Sequence, residues 1–117
     1  VTPDLLLQLA ERMASEERFG VCLDIAHANL SACPPEEWVE KMGPYLKHLH
    51  INDNYGDEDS HFAVGEGNID WKILNHPAIL QKKPSILLEV RNAESFLRSV
   101  HYLEEKGLYP FIEEKTE

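Results

Sequence analysis

The sequence predicts an α/β protein whose parallel sheet is covered by helices. Three observations carry that expectation. The runs "GVCLDIA" (20–26), "YLKHLHIND" (45–53) and "SILLEVR" (85–91) are apolar and of strand length. Stretches of helical periodicity separate them, and each run ends in side chains that ligate cations or move protons. Apolar strands alternating with helices are the pattern of a parallel sheet, whose crossovers lay helices over its faces.

The elements follow in order. Residues 3–18 read as a helix, with Thr2 as its cap, Pro3 at the first helical position, and Leu6, Leu9, Ala10 and Met13 on one face. Gly20 closes that segment and the first strand runs over 20–26. "PEEWVEKM" (35–42) is the second helix, with Trp38, Val39 and Met42 as its apolar face. The second strand, 45–53, comes next. "WKILNH" (71–76) reads as a short helix interrupted by Pro77, and the third strand covers 85–91. Asn92 caps a last helix over 93–106, with Phe96, Leu97, Val100 and Leu103 apolar and Gly107 as its stop. The acidic tail, 112–117, is expected to fray.

Composition narrows the function classes. At 117 residues the chain is one domain at most, and 43% hydrophobic with 27% charged residues is globular composition. Eleven basic against twenty-one acidic residues give a net charge of −10. That balance argues against a nucleic-acid surface, which needs clustered Lys and Arg. No apolar run reaches membrane-spanning length. The start, "VTPDLLLQLAERM", does not read as a signal peptide. Cys22 and Cys33 have no C-x-x-C spacing, so both read as reduced, partly buried thiols of a cytoplasmic protein.

Ligands of parallel α/β proteins bind outside the carboxyl ends of the strands. There the first strand offers Asp24 and His27, the second His50 and Asp53, and the third Glu89. Carboxylate and imidazole delivered to one rim suit a divalent cation (Mn²⁺, Zn²⁺ or Mg²⁺), and the lack of thiolate clusters disfavours a structural zinc site. Taken singly, these residues have plainer roles: Asp24 as a strand-end cap, His48 as a support, Asp53, Asp57 and Glu58 as solvated loop acids. His76 and His101 read as helix residues, Trp38 and Trp71 as packing residues, and Arg91 as a salt-bridge partner or substrate contact.

Four segments together go further. "GVCLDIAHA", "HLHINDN", "DSHFAVGEGNIDW" and "ILLEV", in this order and spacing, resemble the xylose-isomerase-like TIM-barrel superfamily. That group includes sugar isomerases and epimerases and the endonuclease IV-type apurinic/apyrimidinic endonucleases. The likeness covers residues 20–90 and identifies residues 1–117 as the C-terminal portion of a (β/α)8 barrel, about its last three βα units. A whole barrel needs roughly 250 residues and eight strands.

The resemblance implies that Asp24, His50 and Glu89 bind a central divalent metal, completed in the family by a glutamate from an earlier strand. It places His27, Asp59 and His61 at the additional metal position of the endonuclease branch. Glu89 would be one of the catalytic acid–base pair, while Glu66 and Arg91 become candidates for substrate contact, Glu66 alternatively shaping its loop. The implied function is metal-dependent isomerisation or epimerisation of a small-molecule sugar or sugar phosphate through an enediolate. Hydrolysis at abasic DNA and a non-catalytic metal-binding fragment are the alternatives. The fragment alone is expected to turn over little, and its open sheet edges invite homo-oligomers.

Overall fold

Thr2 begins the first helix as its sequence suggests. Its hydroxyl accepts from Leu5 N at 3.2 Å, and Pro3 takes a first-turn position where its missing N–H costs nothing. A computed structural model describes the chain over residues 2–112 and gives five helices and three strands in those residues. They are α1 (Pro3–Met13), β1 (Val21–Asp24), α2 (Ile25–Leu30), α3 (Pro35–Met42), β2 (Leu46–Ile51), α4 (Pro77–Lys82), β3 (Ser85–Leu88) and α5 (Ala93–Lys106). Short 3₁₀ turns cover Gly43–Tyr45 and Trp71–Asn75. The strands form one open parallel sheet in the order β1-β2-β3. Among the described residues no helix is long and apolar enough to cross a membrane.

One face of the sheet builds the core. Leu23, Leu49 and Ile51 pack with Trp38, Trp71 and Ile79 from the covering helices. Both tryptophans are packing residues, as expected; the buried indole N–H of Trp38 donates to Ser31 Oγ at 3.0 Å. The other face carries Cys22, Asp24, His48, His50, Ser85 and Leu87, all exposed or only half-buried. A parallel sheet is ordinarily covered on both faces. Here the second face is polar and open, as the inner wall of an incomplete barrel would be.

Several boundaries differ from expectation for local reasons. α1 stops at Met13 rather than 18, because the Glu16 carboxylate takes the Arg18 backbone N–H and guanidinium at 3.3 and 2.9 Å and folds the chain into a turn. Leu9 and Met13 stay exposed, leaving Leu6 and Ala10 as the packing strip. The first strand ends at Asp24, whose Oδ1 caps α2 by accepting from His27 N at 2.9 Å. The 3₁₀ turn Trp71–Asn75 stops before Pro77, as expected, and His76 lies between two helical segments rather than within one. Pro77 then opens α4, which the sequence did not suggest, capped by His76 Nδ1, which accepts from Ala78 N at 3.1 Å.

α5 has the expected limits, with the Asn92 cap and Gly107 in the left-handed region at φ 63°, but it is rotated. Ser95, Ser99 and Leu103 face inward, whereas Phe96 and Leu97 are exposed. The Ser99 hydroxyl accepts from Val64 N at 2.9 Å and donates to Ser95 O at 2.8 Å. With α5 turned this way, the buried Val64 N–H has its acceptor. Of the tail expected to fray, Ile112 packs against the core, and residues 113–117 lie outside those described.

Candidate functional site

The loop after β2 is folded back over the end of the sheet. Asp53 and Phe62 exchange backbone hydrogen bonds at 2.9 and 3.0 Å, and Asn68 N donates to Asn54 O at 2.8 Å. This brings Asp59 and His61 above the ends of β1 and β3. His61 takes a left-handed backbone at φ 54°, a conformation costing about 1–2 kcal/mol for a residue with a Cβ. Strain of this kind persists where surrounding contacts over-determine it, commonly at functional sites.

The six residues singled out as metal ligands converge in one ring. Glu89 Oε1 lies 2.5 Å from His50 Nδ1, and that nitrogen is 3.9 Å from Asp24 Oδ2. Asp24 Oδ2 is 3.3 Å from His27 Nδ1, while His27 Nε2 is 3.2 Å from Asp59 Oδ2. Asp59 Oδ1 is 3.2 Å from His61 Nε2, and His61 Nδ1 closes the ring against Glu89 O at 3.0 Å. Ligand atoms of Asp24, His50 and Glu89 lie within 4.8 Å of one another.

The donor set fits a divalent cation on two counts. Glu89 Oε1 is buried and has no aligned hydrogen bond despite its closeness to His50; a buried carboxylate oxygen without a partner is costly. The second count is protons. A carbonyl oxygen only accepts, so the contact with Glu89 O places the proton of a neutral His61 on Nδ1. Nε2 then presents a lone pair to a carboxylate oxygen, a pairing that requires a proton or a cation between them. An imidazole held by its far N–H against a carbonyl is also how proteins orient metal-binding histidines.

Without a cation, protons do that work. The hydrogen bond to Glu89 O, and then the Asp59 charge, raise the His61 imidazole above 6.5. Partial burial would push Asp59 up, but its bonds to His27 and His61 outweigh this and hold the carboxyl below 3.8. A raised histidine stabilises fully below its ordinary value and loses that contribution as pH rises through the folded one. A lowered carboxylate stabilises above its ordinary value and loses it as pH falls. The metal-free pair should thus be complete between pH 3.8 and 6.5. An NMR titration of the metal-free chain is expected to show His61 titrating above the ordinary histidine range. Asp59→Asn should remove part, not all, of that elevation, because the Glu89 carbonyl stays in place.

Other candidates resolve differently. Glu66 forms a two-point ion pair with Arg98, at 2.7 and 3.3 Å, which ties its loop to α5 and fits the loop-shaping role. Arg91 lies over the Phe62 ring, 5.6 Å from its centroid, rather than in a salt bridge. His101 is an exposed helix residue 3.4 Å from Glu105. Cys22 as a whole residue is exposed, but partial desolvation of its thiol, then the charges of Asp24 and Glu89, push its pKa up. A cavity of about 380 Å³ lies elsewhere, lined by Asn29, Pro34, Ile69, Ile73 and His76, and includes no ring residue.

Asp53 corrects the reading most. It is fully buried, not a solvated acid, and accepts from Asn54 N, Gly65 N, Ile69 N and Trp71 Nε1 at 2.8–3.3 Å. Sequence reasoning also passed over Asn54, fully buried, which accepts from Asn29 Nδ2 at 2.7 Å and donates to Ala26 O at 3.0 Å. The alternation of "HIND" gave a signal for neither, since both lie just past the strand.

The model of the xylose isomerase-like TIM-barrel family matches residues 1–108. The chain belongs to that family. It is similar to the crystal structure of a D-tagatose 3-epimerase-like protein, with a TM-score of 0.65 and 31% identity over 89% of this chain and 40% of that one. Fructoselysine 3-epimerase of Escherichia coli O157:H7 is 34% identical over 71 residues, 61% of this chain and 25% of that protein. A probable endonuclease 4 of Halothermothrix orenii is 34% identical over 101 residues, 70% of this chain and 36% of that protein. The chain therefore spans well under half the length of the relatives it matches. Three parallel strands with flanking helices are a section of the family's barrel, and the relatives include both epimerases and an endonuclease.

Proposed function

We propose that this chain is the metal-binding and proton-transfer section of a sugar isomerase or epimerase, with a ketose as the substrate class. The observation that carries the reading is the convergence of Asp24, His50 and Glu89, with Glu89 Oε1 buried and 2.5 Å from His50 Nδ1 without an aligned hydrogen bond. The epimerase relatives support it. A divalent cation held by these three would supply Lewis-acid polarisation of adjacent carbonyl and hydroxyl oxygens. Glu89, at the end of β3 and against His50, removes the proton next to the carbonyl, leaving an enediolate. Returning a proton to the opposite face inverts the centre and needs a second carboxyl group. That group comes from strands outside this chain, so the chain alone turns over little or no sugar. His27, Asp59 and His61 hold the rim of the site and position Asp24 through the His27 contact. Self-association through the outer strands β1 and β3 belongs to the same proposal.

Endonuclease-type phosphodiester hydrolysis is the second reading, favoured by one observation. His27, Asp59 and His61 abut the central trio in a continuous ring, as a multi-metal centre requires. The exposed acids Asp57 and Glu58 beside it, and the charge of −10, oppose approach of a DNA backbone. Native mass spectrometry of the chain after Mn²⁺ loading separates the readings. One ion per chain, lost in Asp24→Ala, supports the sugar enzyme. An additional ion lost in His61→Ala transfers support to the endonuclease, and a chain that retains no ion sinks both. Solvent deuterium incorporation into D-tagatose tests turnover directly, and a full epimerase rate from the chain alone would refute its incompleteness.

A further inference from the structure

The sheet face that carries the Asp24–His50–Glu89 trio has a second tier. Cys22 and His48 are register partners across β1 and β2, two residues before the partners Asp24 and His50. Side chains two apart on a strand share a face, so the Cys22–His48 pair lies directly beneath the carboxylate site. Cys22 is exposed there and His48 half-buried. One ligand atom each of Cys22, His48 and His50 lies within 4.8 Å of the others.

His48 is set up as a ligand by its neighbours. Ser85 Oγ donates to Lys47 O at 3.3 Å, so it accepts from His48 Nδ1–H at 2.6 Å. In that tautomer Nε2 keeps its lone pair, the arrangement that orients metal-binding imidazoles. The His48 and His50 rings meet edge to face, with centroids 5.0 Å apart.

We propose that Cys22, His48 and His50 form a second cation site that takes a thiophilic divalent ion such as Zn²⁺. A thiolate with two imidazoles suits a borderline ion, whereas the tier above, with two carboxylates, suits harder Mn²⁺ or Mg²⁺. Around a tetrahedral ion with bonds of about 2.0–2.3 Å, ligand atoms sit about 3.3–3.8 Å apart. With these atoms within 4.8 Å of one another, closing onto an ion needs shifts of at most about 1.5 Å, within reach of rotation at the exposed Cys22. Three protein ligands leave the fourth position open to water or a small thiol. His50 is the one residue common to both tiers, so a thiophilic ion below competes for it with a hard ion above.

Titration of the 117-residue chain with Co²⁺, the spectroscopic stand-in for Zn²⁺, tests the site. The expected result is a thiolate-to-cobalt charge-transfer band in the near ultraviolet. Cys22→Ser should abolish it, His48→Ala should weaken the binding it reports by at least about tenfold, and Cys33→Ser should leave it. Carboxylates give no such band, so the outcome is independent of the function proposed above. Absence of the band in the wild-type chain, with circular dichroism showing that chain folded, would overturn the proposal. So would a band that survives Cys22→Ser and disappears in Cys33→Ser.

Discussion

Glu89→Gln is expected to weaken Mn²⁺ binding by about 100-fold or more, measured by calorimetric titration of the metal-free chain. Loss of a partner that merely orients a ligand costs roughly 10–100-fold, so loss of a charged ligand should lie at or beyond the upper end. The substitution keeps size and shape and removes only the charge. In the metal-free protein Glu89 Oε1 meets His50 Nδ1 at 2.5 Å without an aligned hydrogen bond, and a partly exposed pair contributes at most about 1 kcal/mol, so apo stability should change little. That opposition of effects, weaker metal binding with undiminished apo stability, marks a binding group rather than a structural one. Glu66→Gln is the contrast. Its carboxylate serves Arg98 on α5, and an exposed pair of that kind contributes at most about 1 kcal/mol to stability. It should leave the Mn²⁺ affinity unchanged.

What the sequence disclosed and what it hid divide along physical lines. Elements with strong end signals were legible to the residue: α3 begins at Pro35, and α5 runs from the Asn92 cap to Gly107. The strand ends were legible because a parallel sheet must present polar groups where its strands emerge, and all six candidate ligands do meet there. Rotation of α5 was not legible. Phe96 and Leu97 look like core residues, yet they are exposed, and Ser99 faces inward to accept from Val64 N. The extents of α1 and β1 were hidden for the same kind of reason, since Glu16 and Asp24 redirect the backbone with side-chain hydrogen bonds that leave no periodic trace. The Cys22–His48 tier needed the register of β1 on β2, which no single-strand pattern contains.

Asp53 is where a local reading failed most, and where the largest loss of stability is expected. In "INDNYGDED" it looks like one loop acid among several, yet it is fully buried and organises the whole loop. Its two oxygens collect three backbone N–H groups and the Trp71 indole, joining the end of β2 to the Gly65–Gly67 turn and to the Trp71 segment. Asp53→Asn turns one accepting oxygen into an NH₂ that faces donors. Each oxygen accepts two of these bonds, and each buried donor left without an acceptor costs about 1–3 kcal/mol. Loss of about 3–5 kcal/mol in urea unfolding is therefore expected, a large part of the 5–15 kcal/mol that typically holds a domain together. Gly67→Ala attacks the same hub from the backbone side, since a Cβ there would sit 2.3 Å from both Asp53 Oδ1 and Asn54 O. The two substitutions share one set of contacts, so their costs should not add in the double variant. Because the hub holds the loop that carries Asp59 and His61, Mn²⁺ binding should weaken in both variants even where they remain folded. An Asp53→Asn chain with wild-type unfolding would mean that the loop is held by its apolar residues, Val64 and Ile69, and that the buried carboxylate is dispensable.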